Sequence, residues 1–140
     1  MPVETNYASL LKERGLKVTP KRMQVYQLLA QAAQPYLLSE IQDKLFSKKL
    51  NRITLYRILN DLEEKGLLRI FFGLDGQKYI EAKNQKALNE KKDSLKHLHF
   101  QCNQCDALFC FDNVAITGLP QGFSIQTDKT VLAGICEKCV

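Results

Sequence analysis

The sequence predicts an α+β chain in two parts, a winged helix-turn-helix over residues 1–82 and a small strand-rich unit over residues 97–140. Three observations predict it. Capped helical periodicities fill the first part and end in one hairpin. Charge is divided unevenly: residues 1–80 hold 13 Lys/Arg against 8 Asp/Glu, whereas residues 81–140 hold 7 against 7. All five cysteines and both histidines lie in the second part. A basic unit that lacks His and Cys is therefore joined to a neutral one that contains them all. The charged stretch 83–96 between them reads as a hinge or insertion.

The elements follow in order. Residues 5–14 suit a helix ended by Gly15. Thr19-Pro20 opens the next, with Thr as N-cap and Pro at the first helical position. Its apolar residues Met23, Val25, Tyr26, Leu28, Leu29 and Ala32 recur at helical spacing as far as about Ala33, before Pro35. Ser39 is the expected cap of a short third helix running from Glu40 to about Phe46. Asn51 is the expected cap of a fourth, residues 52–65, stopped by Gly66. Residues 67–72, a Gly73-Leu74-Asp75-Gly76 turn and residues 77–82 then form a β-hairpin. Short helices followed by one hairpin are the order of a winged helix. In the second part, residues 97–102, 107–111, 123–127 and 130–135 read as short strands.

Composition excludes several classes. No apolar run approaches the roughly 18 residues of a membrane span. The N-terminal stretch carries acids and lacks the apolar core of a secretory signal. The chain is therefore expected in the cytoplasm, where thiols stay reduced and cysteines serve metal or redox chemistry before disulfides. No Gly-rich phosphate loop is present, and an enzyme is not expected.

The fourth helix carries two faces. Leu55, Ile58, Leu59 and Leu62 form the apolar stripe. Arg52, Tyr56 and Asn60 stand four apart on another face, with Arg57 beside them. Such a row suits a helix laid in a DNA major groove: Arg forks to phosphate or guanine, and Tyr packs on a thymine methyl. A solvated face with a half-buried Tyr is the plain alternative. In the second part, Cys102-x-x-Cys105 falls at a hairpin turn, a zinc knuckle in shape, and Cys136-x-x-Cys139 closes the chain. Two such pairs can supply four thiolates to a structural Zn²⁺. A redox Cys-x-x-C usually opens a helix, and neither pair does. His97 and His99, two apart on a strand, share one face.

Residues 15–22 (GLKVTPKR), 53–68 (ITLYRILNDLEEKGLL) and the two Cys-x-x-C pairs resemble the ferric uptake regulator superfamily of metal-sensing repressors over nearly the whole chain. The resemblance extends to the superfamily's zinc-responsive members. The resemblance implies an N-terminal winged helix, a C-terminal α/β dimerisation domain with a zinc knuckle, and a homodimer that binds palindromic double-stranded DNA when metal is loaded. It makes Tyr56 a base contact and Arg57 its neighbour on DNA, and brings Lys17 to the minor groove. Arg22 and Thr54 enter with the matching T-P-x-R and T-x-Y-R motifs.

The family's H-x-H motif binds the regulatory metal, which assigns His97 and His99. Its carboxylate five residues after the second knuckle cysteine is here Cys110, and the carboxylate closing the wing hairpin is Glu81. Asp112 or a water is the substitute if Glu81 falls out of reach. A further family histidine is replaced by about Tyr36. A second regulatory site is not expected, because its positions hold Leu98, Thr117 and Asp128. Segment 112–122 is too short for the family's dimerisation helix. A Cys/His/His/Glu set is softer than a carboxylate-rich one and suits Zn²⁺, with Fe²⁺ the runner-up. The expectation is a zinc-responsive repressor with a structural and a regulatory Zn²⁺. An iron- or peroxide-responsive regulator, a thiol-based redox switch and a zinc-stabilised adaptor are the alternatives.

Overall fold

The computed structural model describes residues 6–45, 50–84, 88, 97–112, 114 and 116–140. Phe46 and nearly all of the expected 83–96 hinge lie outside them. The first helix, α1 (Tyr7–Glu13), is capped by Asn6, whose side chain accepts from the Ser9 amide. The second, α2 (Pro20–Ala30), starts at Thr19 as expected, its hydroxyl accepting from the Arg22 amide. It stops three residues short of Ala33. A two-residue strand, β1 (Tyr36–Leu37), follows and leads directly into α3 (Leu38–Leu45). Ser39 is therefore inside that helix rather than its cap. The capping is done by Glu40, whose carboxylate accepts from the Leu37 amide at 3.1 Å. The fourth helix, α4 (Arg52–Glu64), is capped by Asn51.

The wing strands are β2 (Leu68–Phe72) and β3 (Lys78–Ala82). Strand β1 adds to the outer edge of β3, giving an antiparallel sheet of order β1-β3-β2. The core under it joins all four helices: Leu11, Val25, Tyr26, Ile41, Leu55, Leu62, Leu67 and Ile80 are almost fully buried. Burial of this kind is what holds short helices together, since helices of 7 to 13 residues are marginal alone.

The second part is a three-stranded sheet of β4 (Leu98–Cys102), β5 (Leu108–Phe111) and β6 (Val131–Gly134), ordered β5-β4-β6. Strands β4 and β5 are antiparallel, whereas β4 and β6 are parallel. Residues 123–127 do not form the expected strand. Both edges of β4 are already taken by β5 and β6; β5 returns the chain to the end where β4 began, and this segment leads from there to the start of β6. It ends in a 3-10 turn, Thr127–Lys129.

The wing lies along β4. The ring of Phe71 stacks on that of His99 with centroids 3.7 Å apart. The buried Gln101 side chain accepts from the Leu74 amide at the wing turn, 2.8 Å away. Gly73 is required there: a Cβ on it would stand 2.6 Å from Tyr79 Cε2, 2.7 Å from Asp75 Oδ1 and 3.0 Å from Gln101 Oε1. Gly73→Ala should therefore destabilise the protein by about 1–3 kcal/mol, the usual cost of overpacking. Urea unfolding measures this; a midpoint equal to that of the unsubstituted chain would contradict it.

Candidate metal centre

Strand alternation builds the first cluster. On β4, His99 and Gln101 face the wing, and His97, just before the strand, shares their side. Antiparallel register puts Cys110 of β5 directly opposite His99. The wing supplies Glu81 near the end of β3. Among the described residues, one donor atom each from Glu81, His97, His99 and Cys110 falls within 4.8 Å of all the others. Glu81 Oε1 lies 2.8 Å from Nε2 of both histidines, and those two nitrogens are 3.1 Å apart. The Cys110 thiol donates to Glu81 Oε2 at 3.5 Å. Asp112 does not take the place of Glu81. It meets the other nitrogen of His97, Nδ1, at 2.8 Å and orients the ring. Tyr36 sits on β1 opposite Ile80 and is not among the four.

Both histidine Nε2 atoms and Glu81 Oε1 converge on one point; without a metal both N–H groups can donate to that oxygen. The two Nε2 atoms face each other across 3.1 Å. A tetrahedral Zn²⁺ with bonds of about 2.0–2.1 Å would set such nitrogens roughly 3.3 Å apart, so the donors fit the ion. His99 Nδ1 is buried with no partner in the structure. A cavity of about 210 Å³ bordered by Ala32, Ala33, Glu81, His97 and Cys110 gives the cluster an entry path.

Electrostatics agree. Burial raises the carboxyl pKa of Glu81, but hydrogen bonds from His97 and His99 outweigh it and hold it at about 2. Burial lowers the pKa of His97, but Glu81 and then Asp112 outweigh it and raise it. Desolvation, then the charge of Glu81, pushes the Cys110 thiol up to about 12. Without a metal Cys110 is therefore a protonated thiol at neutral pH; a metal would take the place of that proton.

The second cluster is Cys102, Cys105, Cys136 and Cys139, also within 4.8 Å. Cys102 ends β4, and Cys136 follows β6, so the parallel β4-β6 pairing brings the two Cys-x-x-C pairs together. Cys105 and Cys136 sulfurs are 3.8 Å apart. That is the edge of a tetrahedron with Zn–S bonds of about 2.3 Å. The amide of Cys105, then that of Cys136, favours the Cys102 thiolate and lowers its pKa to about 6. A shared proton with Cys136 pushes Cys139 to about 12. One thiolate already favoured among four thiols suits a cation-binding set.

The candidate DNA face is on α4. Arg52, Tyr56, Arg57 and Asn60 are exposed, Thr54 is half-buried, and Lys17 is exposed ahead of α2. The Tyr56 hydroxyl accepts from Gln42 of α3 at 3.2 Å, which steadies its ring. Arg22 is placed differently. Its guanidinium donates to the Lys17 carbonyl at 2.6 Å and pairs with Asp61 of α4 at 3.1 Å, bracing the helices from within. Sequence reasoning missed Ile53, which is 65% exposed. Its spacing to Tyr56, Arg57 and Asn60, three, four and seven residues, was the available signal.

Residues 13–131 match the model of the Ferric uptake regulator family. The ferric uptake regulation proteins of Neisseria meningitidis serogroup A and Bordetella parapertussis are each 26% identical to the chain. The alignments cover 96% and 94% of this chain and 93% and 94% of those proteins. Among solved structures, the ferric uptake regulator of Pseudomonas aeruginosa with manganese superposes at a TM-score of 0.66. It is 21% identical, over 96% of this chain and all 100% of that one. A zinc uptake regulator complexed with zinc and DNA superposes at 0.64 with 17% identity, over 95% of this chain and 89% of that one. These likenesses are to the same two-part fold.

The pKa shifts of Glu81 and His97 make stability depend on pH when this cluster is metal-free. Glu81 is depressed, so its contribution is present above its unfolded value of 4.5 and lost as pH falls towards 2. His97 is raised, so its contribution is present below 6.5 and lost as pH rises through its folded value. The melting temperature should be highest between about 4.5 and 6.5 and decline on both sides. A weak chelator provides the condition. His97→Ala should flatten the alkaline limb; an unchanged limb in that variant would contradict the assignment.

Proposed function

The chain belongs to the ferric uptake regulator family, its residues 13–131 matching the family model, and from that premise we propose that it is a zinc-responsive repressor. As a family member it is a metal-responsive transcription regulator that binds DNA as a dimer. What is proposed is the metal, the residues and the division of the chain. Residues 1–82 are the DNA-binding unit, 83–96 the hinge and 97–140 the metal-binding dimerisation unit. Cys102, Cys105, Cys136 and Cys139 hold a structural Zn²⁺. Glu81, His97, His99 and Cys110 hold the regulatory ion.

The observation that carries the zinc reading is the Cys110 thiol beside Glu81, 3.5 Å away. One thiolate, two imidazoles and one carboxylate make a four-donor set of mixed softness. Tetrahedral Zn²⁺ accepts this readily, whereas carboxylate-richer, higher-coordinate sites suit iron or manganese. Bound metal would neutralise the donors and tie the wing, through Glu81, to β4 and β5. The orientation of the winged helix relative to the second part is then set. In a dimer this sets the spacing of two recognition helices, which must match two half-sites. A tenfold change in DNA affinity requires only about 1.4 kcal/mol of such coupling.

The other face of the β5-β4-β6 sheet supports the dimer. Phe109 and Phe111 stack with centroids 6.4 Å apart, and Phe100 lies beside both. Phe111 and Leu132 remain substantially exposed. A sheet that buries ligands on one side and leaves phenylalanines open on the other has a face to cover. On α4, Arg52, Ile53, Thr54, Tyr56, Arg57 and Asn60 form the groove-reading surface, with Lys17 at its flank. Arg22 serves it as a brace.

The test is DNA selected from a random pool with zinc present, then titrated with zinc and salt. Binding should require zinc beyond the first ion per chain. Tyr56→Ala should cost about 1–3 kcal/mol. Arg57→Ala should lower the slope of log affinity against log salt by about 0.9. Cys110→Ser should keep the first zinc and lose the zinc response. If Cys110→Ser responds to zinc as the natural chain does, the thiol is not a ligand and the zinc reading fails.

A further inference from the structure

Arg69 is the buried cation of the described residues, its side chain only 7% exposed. It is an unexpected residue for the middle of a wing strand. Burying a guanidinium costs several kcal/mol unless a partner offsets it. The fold provides one by register: Arg69 on β2 stands directly opposite Glu81 on β3. Strand alternation turns Arg69 and Phe71 to the same side, and Phe71 stacks on His99. Arg69 thus lies along the wall of the four-donor cluster. Its Nη1 is 3.6 Å from Glu81 Oε1, the same oxygen that both histidine nitrogens approach at 2.8 Å.

One oxygen therefore faces a permanent cation and the position of an incoming one. With no metal, the guanidinium adds a cation beside a carboxylate that the His97 and His99 hydrogen bonds already hold, and helps keep Glu81 aimed at β4. With metal, it would face the same oxygen as a dication, and two positive charges a few ångströms apart in a poorly solvated site repel. We infer that Arg69 sets the metal threshold of this cluster: it positions Glu81 before binding and weakens binding itself. The inference rests on reading the cluster as the regulatory metal site. Arg69 is a positioning residue with an electrostatic load and is not a ligand, since guanidinium offers donors only. Net of the positioning it gives Glu81 and of solvent screening, its effect on a dication is on the order of tenfold to a hundredfold in affinity.

The experiment uses the full chain with its four-cysteine metal in place, titrated with zinc alone. Arg69→Gln removes the charge and keeps a polar side chain; Arg69→Lys keeps the charge. Arg69→Gln should bind the second zinc about tenfold or more tightly. Its metal-free melting temperature should fall, so the rise on adding zinc should grow. Arg69→Lys should bind within about threefold of the natural chain. A purely structural Arg69 predicts the reverse for affinity: weaker zinc binding in Arg69→Gln, because Glu81 is no longer held. Equal or weaker binding by that variant overturns the inference. Should Arg69→Gln fail to fold, the natural chain still decides, because the Arg69 side-chain Nε–H resonance must shift when the second zinc binds. A resonance that does not move overturns the inference. A natural chain that takes up no second zinc, or takes it up equally well as His97→Ala, instead rejects the site reading and removes this inference with it.

Discussion

The carboxylate of Glu81 is the contact on which the two parts of the molecule turn. It sits near the end of the wing, its side chain only 11% exposed, and meets four groups. Arg69 comes from its own sheet, His97 and His99 from the start of β4, and Cys110 from β5. Phe71 on His99 and Gln101 at the wing turn extend the same contact along β4. A buried carboxylate must be compensated. Its compensation here comes from both sides of the junction, so whatever changes the charge there changes how the wing is held.

The sheet puts the two cysteine- and histidine-bearing clusters in different places, which suits the different work proposed for them. The four cysteines close the ends of β4 and β6, strands that share only a short parallel pairing. A tetrathiolate would act there as the core that a four-residue strand cannot build; structural zinc in small peptides is worth on the order of 10–16 kcal/mol at neutral pH. The Glu81 cluster lies on the face of the same sheet that meets the wing. Strand alternation leaves Phe100, Phe109 and Phe111 on the opposite face. One small sheet thus carries the proposed sensing site on one side, exposed phenylalanine surface on the other, and the proposed structural site at its end.

Much of this was legible from local chemistry. Thr19-Pro20 and Asn51 place the starts of α2 and α4, and the Gly73–Gly76 turn places the wing. Parity puts His97 and His99 on one face, and the knuckle returns the chain so that Cys110 comes opposite. What was not legible depends on partners distant in sequence. Strand β1 exists only because β3 offers an edge, and residues 123–127 lie in the link from β5 to β6 instead of pairing. Ser39 loses the capping role to Glu40 because β1 runs straight into α3. The motif makes Arg22 a DNA contact but does not show its pairing with Asp61, thirty-nine residues away. The burial of Arg69 follows from register, which a hydrophobicity pattern does not carry.

X-ray absorption at the zinc edge tests the central claim most directly, on protein holding two zinc ions per chain. The ligand set predicts five sulfur and two imidazole donors shared between the two ions, with one carboxylate. Zn–S distances should be about 2.3 Å and Zn–N distances about 2.0–2.1 Å. Cys110→Ser should lose one sulfur from the second ion and none from the first. A spectrum with only four sulfurs in the natural chain, unchanged by Cys110→Ser, would contradict the account.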